Sequence, residues 1–310
     1  MLGDEGQLES IGLCNIFKDM LESKVIPVAK LTKIHRQAAK SAIVTESVKV
    51  RQGINLIEPG SCVREVRGEL KDLELDIYDD KILTAEIIMD HYRKLIESGV
   101  SPHDIQIVVP MKTRGLACTR AINAMVQDYI NAKNRLIYVA VKSGENDAGY
   151  HLRLGDRVLC TKNLYRLKRP LGYEGAESDA EREFCPVYNG DRGVVVSVES
   201  ERIIVDFDMW GEVEIPRKNF FDIELGYALS CHKLQGSEAP YVIIGFDFDS
   251  RILLTKEWVY TAITRAKKYC VIAAETKALT YAIGNSNIPY KRTFLRDMLR
   301  EAFKKEAFKK

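Results

Sequence analysis

Two apolar, β-rich runs constrain this chain more than anything else in it: residues 105–109 (IQIVV) and 241–246 (YVIIGF), each set beside segments of helical periodicity. A strand that is apolar along its whole length must be covered on both faces, and in a parallel sheet helices provide the cover. Residues 85–98 place Ile88, Tyr92, Leu95 and Ile96 on one helical face, with Gly99 as the stop, and residues 116–131 align Ile122, Met125, Val126, Tyr129 and Ile130. Toward the other end, residues 241–246, 258–267, 269–274 and 276–283 read as strand, helix, strand, helix. The expectation is an α/β layer with parallel strands and helices on both faces.

The stretch between these halves has a different grammar. Residues 155–162 (GDRVLCTK), 193–198, 203–207 and 213–215 are short strands, separated by Asn189-Gly190-Asp191, by residues 199–201 and by Trp210-Gly211. Closely spaced strands with tight turns predict a small antiparallel barrel. The economical arrangement is one α/β domain whose chain leaves near residue 153, builds the β module and returns near residue 222. A length of 310 residues, with 46% hydrophobic and 29% charged, can fill two such cores.

The formal net charge is only +2, so no global field points to a nucleic acid or a membrane, and any anion site must be local. No apolar run approaches the ~18 residues of a membrane helix. The start MLGDEGQLES lacks the features of a signal peptide, which predicts a cytoplasmic protein with no membrane partner. Seven cysteines without a CxxC pair read as reduced structural thiols, not as a metal site or a nucleophile.

Four segments carry chemistry. Gly3-Asp4-Glu5-Gly6-Gln7-Leu8 suits the tight exit from a buried strand, with a glutamine amide reaching into a crevice. Leu31-Thr32-Lys33-Ile34-His35-Arg36-Gln37 puts an arginine just before a helix that runs to a stop at Gly53, an arrangement suited to a phosphate or else a solvated side chain. In residues 226–238, apolar positions lead into Ser230, His232, Lys233, Gln235, Gly236, Ser237 and Glu238 at an expected strand-to-helix junction, where backbone amides can approach phosphates. Residues 258–268 form a helix with Val259, Ile263 and Ala266 on its buried face, presenting Thr264 and Arg265 at one edge.

In this order, GDxxQL, xRQA, YALSxHKLQGSE and YTAITRAKK resemble motifs III to VI of superfamily 1 helicases. The RecD-like branch, with the exodeoxyribonuclease V alpha subunit and the helicase half of TraA-type proteins, is the nearest in pattern. The linking text VIPVAKLT, IQIVVPMKTRG and GDRVLCTKN…VYNGDRG agrees with that family, in which the last opens an SH3-like insertion. The resemblance implies a RecA-like P-loop-NTPase-type helicase domain 2A over residues 28–152 and 222–290. It implies an SH3-like insertion (2B) over 153–221, the end of domain 1A over 1–27, and a basic tail over 291–310.

It also implies roles. Gln7 couples the γ-phosphate to the DNA site. Arg36 and Arg265 are arginine fingers, and Gly236 and Glu238 line the nucleotide cleft. Ser230, His232 and Lys233 face single-stranded DNA, and Lys112 and Arg114 hold backbone phosphates. ATP with Mg2+ is the implied cofactor, and single-stranded DNA, the N-terminal motor domain and other recombination or repair subunits are the implied partners.

The sequence has no GxxxxGK[ST], and Asp4-Glu5 belongs to motif III, not to a Walker B strand. The expectation is therefore the C-terminal half of a longer ATP-dependent DNA helicase moving 5′ to 3′, inactive in isolation. The alternative is a non-catalytic single-stranded nucleic-acid or protein-binding module derived from a helicase.

Two features stand outside the motifs. Residues 157–173 interleave Arg157, Lys162, Arg166, Lys168 and Arg169 with Tyr165 and Tyr173. They read either as a solvated hairpin flank or as a DNA-backbone contact on which Tyr165 or Tyr173 stacks a base. The basic tail, with Phe294, Met298 and Ala302 in a weak stripe, reads as an exposed, frayed helix.

Overall fold

The computed structural model describes residues 2–8, 15–30, 38–134, 136–139, 149–173, 178–286 and 293–307. The two apolar runs lie side by side as β3 (Ile105–Val108) and β14 (Ala239–Phe246), paired in parallel. Their sheet is completed by β15 (Ala266–Glu275), β2 (Leu73–Tyr78), β1 (Val63–Arg67) and the two-residue β13 (Ala228–Leu229), in the order β1-β2-β15-β14-β3-β13. Every neighbouring pair is parallel except β1 with β2, which is antiparallel at the edge.

Alternation along β14 shows why the run is apolar throughout. Ile243 packs in one cluster with Ile88 and Tyr92 of α3 (Thr84–Glu97) and Ile122 and Val126 of α4 (Thr119–Asn131). Val242 and Ile244 face the opposite cluster, which holds Val50 of α2 (Ala42–Arg51), Val259 of α5 (Lys256–Ile263) and Leu279 of α6 (Thr276–Gly284). Each fully buried Ile or Val is worth about 1.5–3 kcal/mol over exposure. Gly245 lets α3 approach, since a Cβ there would lie 2.1 Å from Ile88 Cδ1.

The second sheet is antiparallel and seven-stranded. Its order is β12 (Ile223–Leu225), β6 (Arg157–Cys160), β9 (Arg192–Val198), β10 (Arg202–Phe207), β11 (Gly211–Pro216), β7 (Leu164–Lys168) and β8 (Phe184–Val187). The tight connections expected at 189–191 and 199–201 lie between β8 and β9 and between β9 and β10. Val158, Val195, Val205, Phe207 and Val213 from this sheet belong to the same apolar cluster as Ile88 and Ile122, so the two sheets share one core. A short hairpin, β4 (Leu136–Val139) with β5 (Tyr150–Arg153), leads from α4 into it and had no counterpart in the sequence reading.

Polar groups pin the seam. Asp156, fully buried, accepts from Gln127, from Asn131 at 2.8 Å, from Tyr227 Oη at 3.0 Å and from the Arg153 N–H at 2.6 Å. Burial nevertheless raises its carboxyl above the ordinary value. Arg157 donates to the Ile105 carbonyl at 2.7 Å and to Gln106 Oε1 at 3.1 Å. This corrects the sequence reading, which grouped Arg157 with the surface cations. It is buried, and burial pushes its guanidinium down to about 10.

Two further expectations are corrected. The helix expected over 258–267 ends at Ile263, because the Arg265 carbonyl accepts from Ala239 N–H at 2.9 Å and thereby opens β15. The C-terminal segment is a helix, α7 (Leu295–Ala307), docked on α1 (Ile16–Ser23). Arg300 donates to the carbonyls of Glu22 (2.7 Å) and Ser23 (3.2 Å), satisfying the open end of α1 with a cation, and Thr293 donates to Asp19 at 2.6 Å. Among the described residues no helix is long and apolar enough to cross a membrane.

Candidate functional site

The turn between β13 and β14 is not the strand-to-helix junction the sequence suggested. Ser230 is extended, Cys231–Leu234 make one 3-10 turn, and Gly236 takes φ +80° so that the chain returns to the start of β14. Nothing lies within 4 Å of where a Gly236 Cβ would point, so this turn presents open backbone. The turn holds no α-helical amides; four 3-10 residues and a left-handed glycine make it instead.

Arg265 locks that turn to α5. Its Nε donates to the Thr261 carbonyl at 3.1 Å, its Nη1 to the Ser237 carbonyl at 3.1 Å and its Nη2 to Thr264 Oγ1 at 3.3 Å. The side chain is only 6% exposed, all three acceptors are neutral, and among the described residues it makes no ion pair. A guanidinium held this way sits at a partly desolvated edge with neutral acceptors only, a situation that an incoming anion relieves. Burial pushes the neighbouring Cys231 thiol up to about 12, so it remains a thiol beside this cation.

The same edge receives the N-terminal segment. Leu8 N–H donates to Thr261 Oγ1 at 2.7 Å, and Gln235 Nε2 donates to the Leu8 carbonyl at 2.9 Å. Tyr260 Oη donates to Asp4 at 2.6 Å, while Arg51 of α2 reaches Asp4 (3.3 Å) and Glu5 (3.4 Å) and lies 5.7 Å over the Tyr260 ring. Burial alone would raise the Asp4 carboxyl; hydrogen bonds from Tyr260, Gly6 N–H and Gln7 and the charge of Arg51 hold it below its ordinary value. Gln7, Gly236, Glu238 and Arg265 therefore gather at one end of the molecule. Glu238 is exposed and pairs with Lys267 at 2.8 Å. Arg36 lies outside the described residues.

Residues 225–273, which include this turn, α5 and Arg265, match the UvrD-like helicase C-terminal domain. The RecBCD enzyme subunit RecD of Mycobacterium tuberculosis is 33% identical over 290 residues, covering 91% of this chain and 46% of that protein. The chain is a RecD-like helicase C-terminal region. The ATP-dependent RecD2 DNA helicase of Deinococcus radiodurans is 27% identical to it over 256 residues, covering 79% of this chain and 28% of the relative. The RecD-like chain thus spans less than half the length of either protein. A crystal structure of the Pif1 helicase from Bacteroides in complex with ADP-AlF3 and ssDNA is 16% identical to it, with a TM-score of 0.44 over 90% of this chain and 57% of that one.

A second group of expected residues in the RecD-like region gathers on a different feature, a cleft of about 630 Å³ between the loop after β3, the face of α4 and the second sheet. Lys112 and Lys233 both line it, and both bind one carboxylate: Lys112 Nζ lies 2.9 Å from Glu224 Oε1 and Lys233 Nζ 2.9 Å from Glu224 Oε2. Burial would raise the Glu224 carboxyl, but the two ammonium groups outweigh it and hold it below the ordinary value. Just before that strand, Asp222 holds Lys162 at 3.2 Å. Ser230 and His232 are half-buried in the adjoining turn, and Arg114 is exposed in the loop that follows β3.

Tyr165 stands 64% exposed on β7. Its ring meets Tyr188 edge-on at 6.3 Å, and Tyr188 meets Trp210 at 5.7 Å. The neighbouring cations are largely spent: Lys168 pairs with Asp179 at 2.5 Å, and Arg169 donates to the carbonyls of Trp210 and Glu212 and stacks on Tyr173 at 4.7 Å. Among the described residues no group of three or more His, Cys, Asp or Glu side chains is placed to hold a metal ion.

Sequence reasoning passed over Glu224, Thr261, Tyr260 and Arg51. Tyr260 and Thr261 stood within the quoted motif YTAITRAKK. Glu224 and Arg51 gave no local signal, because their partners come from distant elements.

Proposed function

We propose that this chain is the C-terminal motor region of an ATP-dependent DNA helicase of the RecD-like type, moving 5′ to 3′ along single-stranded DNA. On this reading the six-stranded sheet with its helices belongs to domain 2A (residues 28–152 and 222–290), and 153–221 are its SH3-like 2B insertion, whose antiparallel sheet is completed by β12 from the returning chain. Residues 1–27 close domain 1A, and 291–310 form a basic tail. ATP with Mg2+ is held mainly by a P-loop domain outside these residues and supplies the free energy of phosphoryl transfer.

Arg265 carries the reading. It is a nearly buried guanidinium, fixed by three neutral acceptors and making no ion pair among the described residues. It is a cation oriented in advance for a charged group brought by another lobe. Charge accumulates on the transferred γ-phosphoryl group, and a guanidinium there is worth on the order of 10³–10⁵ in rate in other NTPases. Arg36 is the second finger on the same reading. Gln235 ties the N-terminal segment, through the Leu8 carbonyl next to Gln7, to the turn that carries Gly236 and Glu238, so nucleotide-side and DNA-side groups share one element. Ser230, His232 and Lys233 of that turn, with Lys112 and Arg114, hold the single strand.

In the longer helicase, Arg265→Ala should lower ATP turnover by a factor on the order of 10³ while nucleotide affinity changes little. Turnover close to wild type would remove the reading. That result would favour the second reading, a non-catalytic single-strand or protein-binding module, which draws on the fact that three donors of Arg265 are already engaged.

A further inference from the structure

The two lysines assigned to the DNA path are not open to solvent on all sides. They share one carboxylate, and that carboxylate comes from the second sheet. Glu224 sits at the middle of β12, between two inward-facing apolar residues, Ile223 and Leu225. Alternation turns it to the cleft, where each of its oxygens meets one ammonium at 2.9 Å. Lys112 arrives from the loop after β3 and Lys233 from the turn after β13, and these two strands neighbour each other in the first sheet. Two residues before Glu224, Asp222 occupies Lys162 at the same cleft, 3.2 Å away. Three lysines from three separate segments are thus paired with two carboxylates, one on β12 and one just before it.

We propose that Glu224 is an internal counter-ion of the strand-binding cleft, occupying Lys112 and Lys233 until backbone phosphates of a single strand displace it. This deepens the DNA reading of those two lysines and rests on it. A carboxylate presents two oxygens to the ammonium groups much as a phosphodiester does, so the exchange needs no rearrangement of the lysines. Each ammonium has three donors and spends one on Glu224, which leaves donors facing the cleft. Half-exposed ion pairs are weak, whereas a phosphate contact also releases condensed counter-ions, so the strand wins at low salt and the carboxylate at high salt. Glu224 is a positioning residue. It keeps the two lysines together across the seam between the sheets and lowers the positive charge of the empty cleft, which raises the threshold for binding isolated anions.

The experiment is a thermodynamic cycle on the 310-residue chain. Binding of a fluorescent oligothymidylate of about 12 nucleotides is followed by anisotropy across a salt series. The variants are Glu224→Gln, the pair Lys112→Gln with Lys233→Gln, and all three substitutions together. The expected result is that Glu224→Gln tightens binding about three- to tenfold, the lysine pair weakens it, and Glu224→Gln has no effect once both lysines are neutral. A role in holding the seam alone predicts the opposite sign, a looser fold and weaker binding, which a melting curve on each variant registers. If the lysine pair weakens binding but Glu224→Gln leaves it equal or weaker, the counter-ion proposal is overturned and the DNA reading stands. If the lysine pair leaves binding unchanged, both fall.

Discussion

Arg265 and Ser237, 28 residues apart, are joined by a 3.1 Å bond from guanidinium to carbonyl. The Arg265 carbonyl accepts from Ala239 N–H at 2.9 Å, so one residue grips the returning turn with both its side chain and its backbone. The cation that the proposed function places against a triphosphate is therefore also a structural tie. Shortening it to lysine keeps the charge and loses the fork. Arg265→Lys should lower the melting temperature by a few degrees and expose the Ser237–Ala239 amides to faster hydrogen exchange.

Thr261 joins the N-terminal segment to α5. Its hydroxyl donates to the Glu257 carbonyl at 2.7 Å and accepts from Leu8 N–H at 2.7 Å. Thr261→Val keeps the shape and removes both bonds, leaving Leu8 N–H without its acceptor. The expected loss is about 1–2 kcal/mol, read by chemical denaturation, with the Leu8 amide exchanging much faster than in the wild type.

Acid should release the same segment. The folded Asp4 carboxyl is held below its unfolded value, so its contribution is complete above the ordinary carboxylate range and is lost as pH falls through the folded value. Leu8 amide protection should be flat from about pH 5 to 8 and decline only in stronger acid. Asp4→Asn should show the acid behaviour already at neutral pH. A decline beginning between pH 6 and 7 would assign the docking to another group.

Gly245 predicts an overpacked variant. A methyl at this position meets Ile88 Cδ1 at 2.1 Å where α3 covers the six-stranded sheet. Gly245→Ala should cost about 1–3 kcal/mol, and Ile88→Val in the same chain should recover part of it. Independent addition of the two losses in urea melts would contradict the contact.

The aromatic row of Tyr165, Tyr188 and Trp210 offers an optical test of the single-strand reading. Of the two tryptophans, Trp258 is 1% exposed in the core, while Trp210 is part of the row with Tyr188 and Tyr165. A base stacked on Tyr165 should quench the emission of Trp210 and leave that of Trp258 unaltered, and Tyr165→Ala should weaken binding by about 1–3 kcal/mol. Quenching that survives Tyr165→Ala unaltered would move the strand elsewhere on the surface.

The legible parts of this fold were those where one stretch of sequence carries its own constraint. IQIVV and YVIIGF read as covered strands because both faces of β3 and β14 are buried, and the tight turns at 189–191 and 199–201 announced the antiparallel module. The edge strand β1 and its neighbour β2 were passed over, although Gly60 and Gly68 flank VREVR and LELDIY alternates apolar with charged residues. The end of α5 was misread because TRAKK continues a helical pattern that only the pairing of β15 with β14 interrupts. Arg265, Gln7 and Gly236 were visible as motif residues. Glu224 was not, since the fact that matters about it is the meeting of Lys112 and Lys233 on its two oxygens.

The common core of the two sheets has a mechanical consequence. With Val158, Val205 and Phe207 sharing one apolar cluster with Ile88 and Ile122, and with Arg157 sunk into β3, no lubricating layer of water separates the module from its carrier. Close-packed interiors transmit displacement instead of absorbing it. A displacement of the six-stranded sheet, to which Arg265 is tied, must therefore carry Tyr165 of the antiparallel module along with it.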